Sequence, residues 1–474
     1  MVVVPWEVWK RTGKLPDKHQ YGAARAYVDF LTRNAAGGDW MNFSTDLYLQ
    51  SSTGDWLCCE QLPKCGDESD NGRCNTDICP RAAASAFAHT LGVSRILDMA
   101  HAIGATTDVE RFSTQLSVMK AAYHKQFFVQ ESGLYADVSA SGAHSSTEIQ
   151  SLQIFPLSLK LVPEQYVDGV VAGLVANIHA HGNHTNCGII GARFLLEVLT
   201  DYGHEELAFN LATQTSCPSW GYMVEGSGKP LQRPTPPCPD NWWPSGALCE
   251  QVCASSSQER DTFGRCKCGA AAPNEACALG TGQCEDGVCN AGGGPTHETP
   301  GTIWEAWQDL HTYGVSKNHP ALAASIGLFV YTLAGLSSDS GGKHLLLRPL
   351  PVAVRRLDSA SVESGLRGGV RLSWSSDENC FKAEVELPLG VAAKLHVLLP
   401  IAKSGEHVVL TESREDAVVW SSDTAATEVE PVTGVLSARL SEDNTELIVE
   451  LLGGVFSFEA SRRRGRGTNV LPFE

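Results

Sequence analysis

Residues 107–127 have the sequence TDVERFSTQLSVMKAAYHKQF, and the spacing of their apolar side chains indicates an amphipathic helix. Thr107 is followed three positions later by Glu110, which matches the capping box that often begins a helix. The apolar positions then recur at intervals of three and four, so they share one helix face. They are Phe112, Leu116, Met119, Tyr123 and Phe127. A helix with such a face buries it against neighbouring elements.

The same pattern extends in both directions, from about Gln20 to Leu336. Residues 82–103 form a second helical segment that Gly104 ends, and residues 164–181 form a third. Residues 191–202 form a fourth, which Gly203 closes as a C-cap. Helices of this length with short connections predict stacked helical hairpins, although the spacing alone does not give their number.

After Leu336 the hydrophobic period changes from that of a helix to that of a strand. Apolar and polar residues alternate over residues 370–374, 381–387, 394–398 and 446–451. Short alternating segments separated by turn residues predict a small antiparallel β-sandwich over residues 337–460. The arginine-rich residues 461–474 are expected to form a disordered tail.

Composition and charge exclude several classes of function. The chain has 474 residues, 43% of them hydrophobic, and a formal net charge of -18 with no block of like charge. A dispersed acidic balance disfavours a nucleic-acid partner and a basic membrane-binding patch. No stretch approaches the roughly 20 apolar residues that span a bilayer.

The cysteines point to an oxidising compartment. Eight of the 16 lie between Cys238 and Cys289, and five lie between Cys58 and Cys79. Residues 225–300, rich in Gly, Pro and Cys, read as a disulfide-stapled insertion in a helical domain of residues 1–336. A zinc module is the alternative, but the spacing fits no standard pair of C-x2-C motifs. We therefore expect secretion; since no signal peptide begins the chain, we expect further sequence upstream.

Three separated segments combine aromatic and polar side chains as sugar sites do: residues 54–57, 217–222 and 302–307, the last followed by His319. A glycosidase needs two carboxyl groups across the scissile bond, and Glu305, between Trp304 and Trp307, suits one of these roles. Each segment taken alone also fits a plain alternative. The tryptophans could be core residues, and His319 could cap a helix.

These segments occur in the order found in a known family. Val3-Val4-Pro5-Trp6-Glu7, Gly54-Asp55-Trp56-Leu57, residues 184–191, Pro218-Ser219-Trp220-Gly221-Tyr222 and Thr302-Ile303-Trp304-Glu305-Ala306-Trp307 resemble the bacterial-type α-L-rhamnosidases of glycoside hydrolase family 78.

The resemblance implies a mainly α fold, an (α/α)6 barrel of the six-hairpin glycosidase type, and inverting hydrolysis of terminal α-L-rhamnose. It implies Glu305 as the general base and His319 as a sugar-binding residue. Trp56 and Trp220 would be pocket walls, and no metal or cofactor is implied. The candidate residues are Glu305 for catalysis and His319, Trp56, Asp55, Trp220 and Trp304 for binding a rhamnose-containing glycoside or polysaccharide.

The chain departs from the family pattern in one important respect. The family's general acid lies in an Asp-Glu-Arg segment before the Val-Pro-Trp segment, and this sequence contains no Asp-Glu-Arg. We therefore expect an N-terminally incomplete barrel and weak hydrolysis by the chain as given. Two alternatives stay open: another (α/α)6 glycoside hydrolase, which a panel of aryl glycosides would reveal, and a non-catalytic extracellular carbohydrate-binding protein.

Overall fold

A computed structural model describes most of the helical and β regions of the chain. The structure describes residues 2–34, 54–59, 79–139, 142–145, 147–225, 242–245, 248–251, 283–285, 288–290, 303–305, 307, 319–338, 343–350, 357–402, 406–423, 430–442, 444 and 446–464.

Ten α-helices occupy the first two thirds of the described chain. They are α1 (Val3–Thr12), α2 (Lys18–Asn34), α3 (Ala82–Ile103), α4 (Thr106–Phe127), α5 (Ser151–Ser158), α6 (Glu164–Ala180), α7 (Ile189–Asp201), α8 (Glu205–Thr213), α9 (Trp220–Glu225) and α10 (Pro320–Ala334). Helices α3 and α4 pack as one hairpin, and α7 and α8 as another; α7 also packs on α5 and α10. None of these helices is long and apolar enough to cross a membrane.

The apolar stripe of α4 is buried as its spacing predicts. Phe112, Met119, Tyr123 and Phe127 are all inaccessible to solvent and belong to one large helical core. The helix begins at Thr106 rather than after Thr107, however, so the predicted capping box is wrong. The reason is the preceding hairpin turn, because Gly104 (φ 73°) closes α3 and leaves only one residue before α4 begins.

The strands of the described β region form one hydrogen-bonded sheet of nine strands. Its nine strands are β7 (Leu336–Ser338), β8 (His344–Leu347), β9 (Ser359–Ser364), β10 (Val370–Ser376), β11 (Cys380–Leu398), β12 (Glu406–Glu412), β13 (Ala417–Ser421), β14 (Val435–Leu440) and β15 (Glu446–Arg464). Six short strands precede them in the described chain and pair two by two: β1 (Phe128–Val129) with β2 (Leu134–Tyr135), β3 (Trp242–Ser245) with β4 (Leu248–Gln251), and β5 (Gln283–Glu285) with β6 (Val288–Asn290).

Two long strands hold the two halves of this sheet together. The sequence predicted separate strands at residues 381–387 and 394–398, but β11 runs through both, with an irregularity between Leu387 and Ala392. Before the irregularity β11 pairs with β10, and after it with β8, in parallel. The sheet is therefore mixed, not purely antiparallel. Alternate residues of both halves contribute to one hydrophobic core.

The C-terminal strand continues beyond the expected domain end. Residues 461–464, which the sequence analysis assigned to a disordered tail, extend β15 and pair with β12. Arg462 explains the extension, since its guanidinium contacts Glu406 at 3.7 Å and donates to the carbonyl of Glu378 at 3.1 Å.

The helical and β regions meet along α10. Leu322 and Phe329 of this helix belong to the helical core, whereas Tyr331 packs against the β core. The indole of Trp374 in β10 donates a 3.1 Å hydrogen bond to the carbonyl of Ala334 at the end of α10. The closed six-hairpin barrel stays a prediction, since several segments between the helices, including most of the cysteine-rich insertion, lie outside the described residues.

Candidate functional site

The carboxylate of Asp55 is bound to the N-terminus of α7. It accepts the backbone N–H of Gly188 at 2.8 Å on Oδ2, and those of Ile190 (2.8 Å) and Gly191 (2.9 Å) on Oδ1. The hydroxyl of Ser151 donates to Oδ2 as well. An anion at this position satisfies N–H groups that a helix leaves unpaired and complements the helix dipole. Asp55 therefore caps α7 from a segment far away in sequence.

Burial changes the protonation equilibrium of this carboxyl and of the thiol beside it. Because Asp55 is fully buried, desolvation raises its pKa above the ordinary value, and the donated hydrogen bonds act in the opposite direction. Burial, with a further contribution from the charge of Asp55, also raises the pKa of the Cys187 thiol to about 12. Cys187 is thus a protonated, buried thiol without nucleophilic character.

Buried tryptophans connect α7 to α9 and α10. The indole of Trp307 donates to the carbonyl of Cys187 at 2.6 Å, one residue before the α7 cap. Its ring meets that of Trp220 edge to face, with centroids 4.9 Å apart. The indole of Trp220 in turn donates to the carbonyl of Leu322 in α10 at 2.9 Å. The Trp220 and Trp307 segments are therefore in direct contact, and the Trp307 and Asp55 segments both contact residues 187–191.

Glu305 and His319 belong to neighbouring backbone segments. The N–H of His319 donates to the carbonyl of Ile303 at 2.9 Å, only two residues before Glu305. His319 caps α10, because its Nδ1 accepts the N–H of Ala321 at 3.3 Å. His319 therefore caps a helix, as the alternative to a sugar-binding role stated. Because Nδ1 accepts a hydrogen bond, the ring proton of the neutral imidazole lies on Nε2.

The six candidate residues divide into two groups by exposure. Glu305, His319 and Trp56 are partly exposed, while Asp55 and Trp304 are completely buried and Trp220 retains 3% of its surface. The ring of Trp304 packs against that of Tyr222, with centroids 6.2 Å apart. The backbone N–H of Trp304 donates to the sulfur of Met223 at 3.4 Å. Only the partly exposed group offers surface to a ligand in this structure.

Two residues that the sequence analysis did not select support the same region. Gln150 and Asn186 bond reciprocally: the N–H of Gln150 donates to the side-chain oxygen of Asn186 at 2.9 Å, and the N–H of Asn186 donates back at 3.2 Å. Both are buried. Asn186 lies in a segment that carries the family resemblance, but nothing in the sequence identifies its partner.

A disulfide bond lies beside the Trp56 segment. Cys58 and Cys79 are bonded to each other, and Cys59 and Cys217 each take part in a further disulfide. The N–H of Cys59 donates to the carbonyl of Asn186 at 2.9 Å, while that of Ile189 donates to the carbonyl of Trp56 at 3.0 Å. Backbone hydrogen bonds thus align residues 56–59 with residues 186–189. The cysteine side chains of residues 238–289, which would form the other predicted disulfides, are not described by the structure.

Comparison with known proteins identifies relatives of the N-terminal half of the chain. Residues 1–228 match the family model of the bacterial alpha-L-rhamnosidase 6 hairpin glycosidase domain. An alpha-L-rhamnosidase of Streptomyces avermitilis is 28% identical over 233 residues, which are 47% of this chain and 18% of that protein. One of Alteromonas sp. is 23% identical over 225 residues, 47% of this chain and 22% of that protein. The alignments thus span less than a quarter of these relatives.

Solved structures show the same fold over nearly the whole chain. The alpha-L-rhamnosidase of Dictyoglumus thermophilum superposes with a TM-score of 0.64 at 21% identity, covering 97% of this chain and 39% of that one. The Streptomyces avermitilis alpha-L-rhamnosidase complexed with L-rhamnose gives a TM-score of 0.58 at 18% identity, with 97% and 32% covered. Residues 1–228 thus match the six-hairpin glycosidase domain of the bacterial α-L-rhamnosidases, and the chain is similar to these enzymes over that part.

Proposed function

We propose that the chain is a glycoside hydrolase that removes terminal α-L-rhamnose from glycosides or polysaccharides with inversion at the anomeric carbon. The observation that carries this proposal is the position of Glu305. This carboxyl group is partly exposed, follows the buried Trp304 and lies two residues from a backbone bond to His319. The relatives named alpha-L-rhamnosidase, one of them solved with L-rhamnose, supply the substrate class.

In this proposal Glu305 is the general base. It takes a proton from a water molecule as that water attacks the anomeric carbon on the face opposite to the leaving group. A second carboxyl group, roughly 6.5–9.5 Å away, protonates the leaving oxygen in such a reaction. The proposal assigns that acid to none of the described residues.

Recognition of the sugar falls to the partly exposed residues. His319 uses Nδ1 to cap α10, so its Nε2–H is the donor left to bond a sugar hydroxyl. Trp56 presents an aromatic edge or face to the C–H groups of the sugar ring. Trp220 and Trp304, being buried, support these groups from behind and do not contact the sugar.

We also propose that the protein is secreted. The bonded Cys58 and Cys79 support this proposal, because disulfides persist in oxidising compartments and are rare in the cytosol. Thiol titration of denatured, unreduced protein from its natural host tests it. Few reactive thiols among the 16 cysteines are expected, whereas a majority of free thiols would contradict secretion.

The decisive experiment follows hydrolysis of an aryl α-L-rhamnoside by the 474-residue chain, with the configuration of the released rhamnose monitored by proton NMR. Hydrolysis by this chain is expected to be weak, because no described residue is assigned as the acid; its first product should be the inverted anomer, and Glu305→Gln should abolish it. Hydrolysis of a different aryl glycoside would favour another (α/α)6 hydrolase. Binding of L-rhamnose with no hydrolysis of any aryl glycoside would favour a non-catalytic carbohydrate-binding protein.

A further inference from the structure

Asp55 lies at the centre of the contacts that join the candidate segments, yet no part of it reaches solvent. We propose that Asp55 is a positioning residue, which holds Trp56 and Trp307 in the geometry that the sugar requires, and not a group that binds the sugar itself. This inference rests on the proposed function for the identity of the ligand. The hydrogen bonds and burial that place Asp55 are independent of that function.

The first argument is the hydrogen-bonding capacity of the carboxylate. Two carboxylate oxygens offer about four acceptor positions. Three backbone N–H groups, of Gly188, Ile190 and Gly191, and the hydroxyl of Ser151 occupy them. A sugar hydroxyl would therefore have to displace a buried partner, leaving an unpaired N–H at the start of α7, which costs more than a new bond returns.

The second argument is the close approach of α7 to the Asp55 segment. Gly188 permits it, because a Cβ at position 188 would collide with the carbonyl oxygen of Asp55. Gly191 does the same against Ser151, since a Cβ there would collide with the Ser151 hydroxyl. The absence of side chains at both positions brings the backbone N–H groups within bonding distance of the carboxylate.

The third argument is the direct connection to the aromatic residues. Trp56 adjoins Asp55, and its carbonyl accepts the N–H of Ile189 at 3.0 Å. On the other side of the cap, the carbonyl of Cys187 accepts the indole of Trp307 at 2.6 Å. A shift of the α7 N-terminus relative to Asp55 therefore displaces both tryptophans.

Helix α7 carries the same constraint to α10. The buried hydroxyl of Ser325 donates to the carbonyl of Ala192 at 2.6 Å, which fixes α10 against the first turn of α7. His319 caps α10. Asp55 thus sets the position of an element that carries a proposed sugar ligand. An error of about 1 Å in such positions can cost roughly 100-fold in reaction rate.

The test compares Asp55→Asn with a matched variant, Glu412→Gln. Glu412 is also buried (1% exposed) and accepts three backbone N–H groups, of Arg414 (3.0 Å), Glu415 (2.8 Å) and Ser457 (2.8 Å), but it lies in the β region. In either variant an amide N–H replaces an acceptor and faces a backbone donor. The two variants thus suffer the same local defect at different places.

Three quantities are measured on the full chain: the thermal midpoint, the dissociation constant for L-rhamnose by titration calorimetry, and the fluorine NMR signal of Trp307 in fluorotryptophan-labelled protein. We expect both variants to lose thermal stability. Only Asp55→Asn should shift the Trp307 signal and weaken L-rhamnose binding by about 10-fold, the loss expected when one hydrogen bond to the sugar is misplaced. Equal destabilisation with both the Trp307 signal and the L-rhamnose affinity unchanged in Asp55→Asn would overturn the proposal.

Two further arms keep the result decisive. If Asp55→Asn does not fold, Ser151→Ala removes one of the four donors; a shifted Trp307 signal then supports the proposal, and an unshifted one opposes it. If the unmodified chain does not bind L-rhamnose, the function proposed above fails, and the Trp307 signal alone decides whether Asp55 positions the aromatic residues.

Discussion

The helical and β regions each bury a carboxylate that accepts three backbone N–H groups, but they use it differently. Asp55 joins segments of the helical region that are distant in sequence. The residues bonded to it lie next to Trp56 and to Cys187, whose carbonyl binds Trp307. Glu412 binds the turn after β12 and the adjacent strand β15. The same local chemistry thus supports a candidate ligand site in one region and only a turn in the other.

This contrast shows that burial of a charge does not identify a functional residue. What distinguishes the helical region is that its buried groups support three partly exposed side chains, a carboxyl, an imidazole donor and an indole: Glu305, His319 and Trp56. The β region has its own carboxyl–imidazole pair, in which Nδ1 of His396 lies 2.7 Å from Glu446. The pair lies on a sheet face and has no tryptophan bonded to it among the described residues.

The largest expected effect separates these two carboxyl groups by catalysis. Glu305→Gln should lower kcat on an aryl α-L-rhamnoside by about 10²–10⁴-fold, because proton transfer to a positioned base is lost. Glu446→Gln should leave kcat unchanged, since the β region contributes no reacting group. Steady-state kinetics on both variants would measure this. An equal loss in Glu446→Gln would place reacting groups in the β region and remove the contrast.

A second effect concerns the two hydrophobic cores. Phe87 is fully buried, stacks on Phe155 with centroids 4.5 Å apart and meets Phe194 edge to face. Phe87→Ala should cost about 3–5 kcal/mol of unfolding free energy. Its counterpart in the β core is Phe458, stacked on Phe456 at 5.7 Å.

Scanning calorimetry should then resolve two transitions, with Phe87→Ala lowering one and Phe458→Ala the other. A single transition that either substitution lowers would show that the helical and β regions unfold as one cooperative unit.

A third effect distinguishes the regions by their response to acid. Burial lowers the pKa of His89 in α3 from 6.5 to about 4. Between pH 6.5 and 4 the unfolded chain binds a proton at His89 that the folded chain does not. The free energy of unfolding of the helical region should therefore fall by roughly 3 kcal/mol as the pH decreases through this window. His89→Gln should flatten this dependence.

In the β region the sign is the same but the pH window is lower. The hydrogen bond from His396 lowers the pKa of Glu446 below 4.5, so its contribution to stability is complete above pH 4.5 and is lost as pH falls further. The two calorimetric transitions measured against pH would check both statements. A helical transition that does not move between pH 6.5 and 4 would contradict the first.

The smallest effect tests the connection between the regions. Trp374→Phe removes the indole bond to the carbonyl of Ala334 and leaves that acceptor unpaired, at a cost of roughly 1–2 kcal/mol. The two unfolding transitions should move further apart as this coupling is lost. Trp420→Phe in β13 is the control, because its indole bonds no described residue. A similar change in both variants would mean that β-core packing, not this bond, couples the regions.

Local sequence signals predicted the helices well. Residues 82–103 were expected to form a helix closed by Gly104, and α3 has those bounds. The segments expected at residues 164–181 and 191–202 became α6 and α7 with shifts of one or two residues. Periodicity and glycine caps act within a few residues, so a single sequence contains them. The strands were predicted less completely. Only the pairing of β11 with β15 shows that both strands continue past the irregularity between Leu387 and Ala392.

The candidate site could be predicted as a set of segments but not as a set of contacts. Residue types selected Asp55, Trp220 and Glu305, yet nothing in the sequence shows which of them is buried. That depends on bonds between distant positions, such as Trp307 with Cys187 and Gly188 with Asp55. Whether a residue touches a ligand or supports one that does is decided by such bonds.

The two long strands also determine the order in which the molecule assembles. Strand β11 pairs along its length with β15, so Cys380 must find Ser461 across most of the β region. The α3–α4 hairpin, by contrast, forms from contacts between neighbours in the chain. Local contacts form quickly and distant strand pairs slowly. Helical hairpins should therefore assemble during synthesis, while the central strand β11 waits with an unpaired edge until residues 446–464 leave the ribosome.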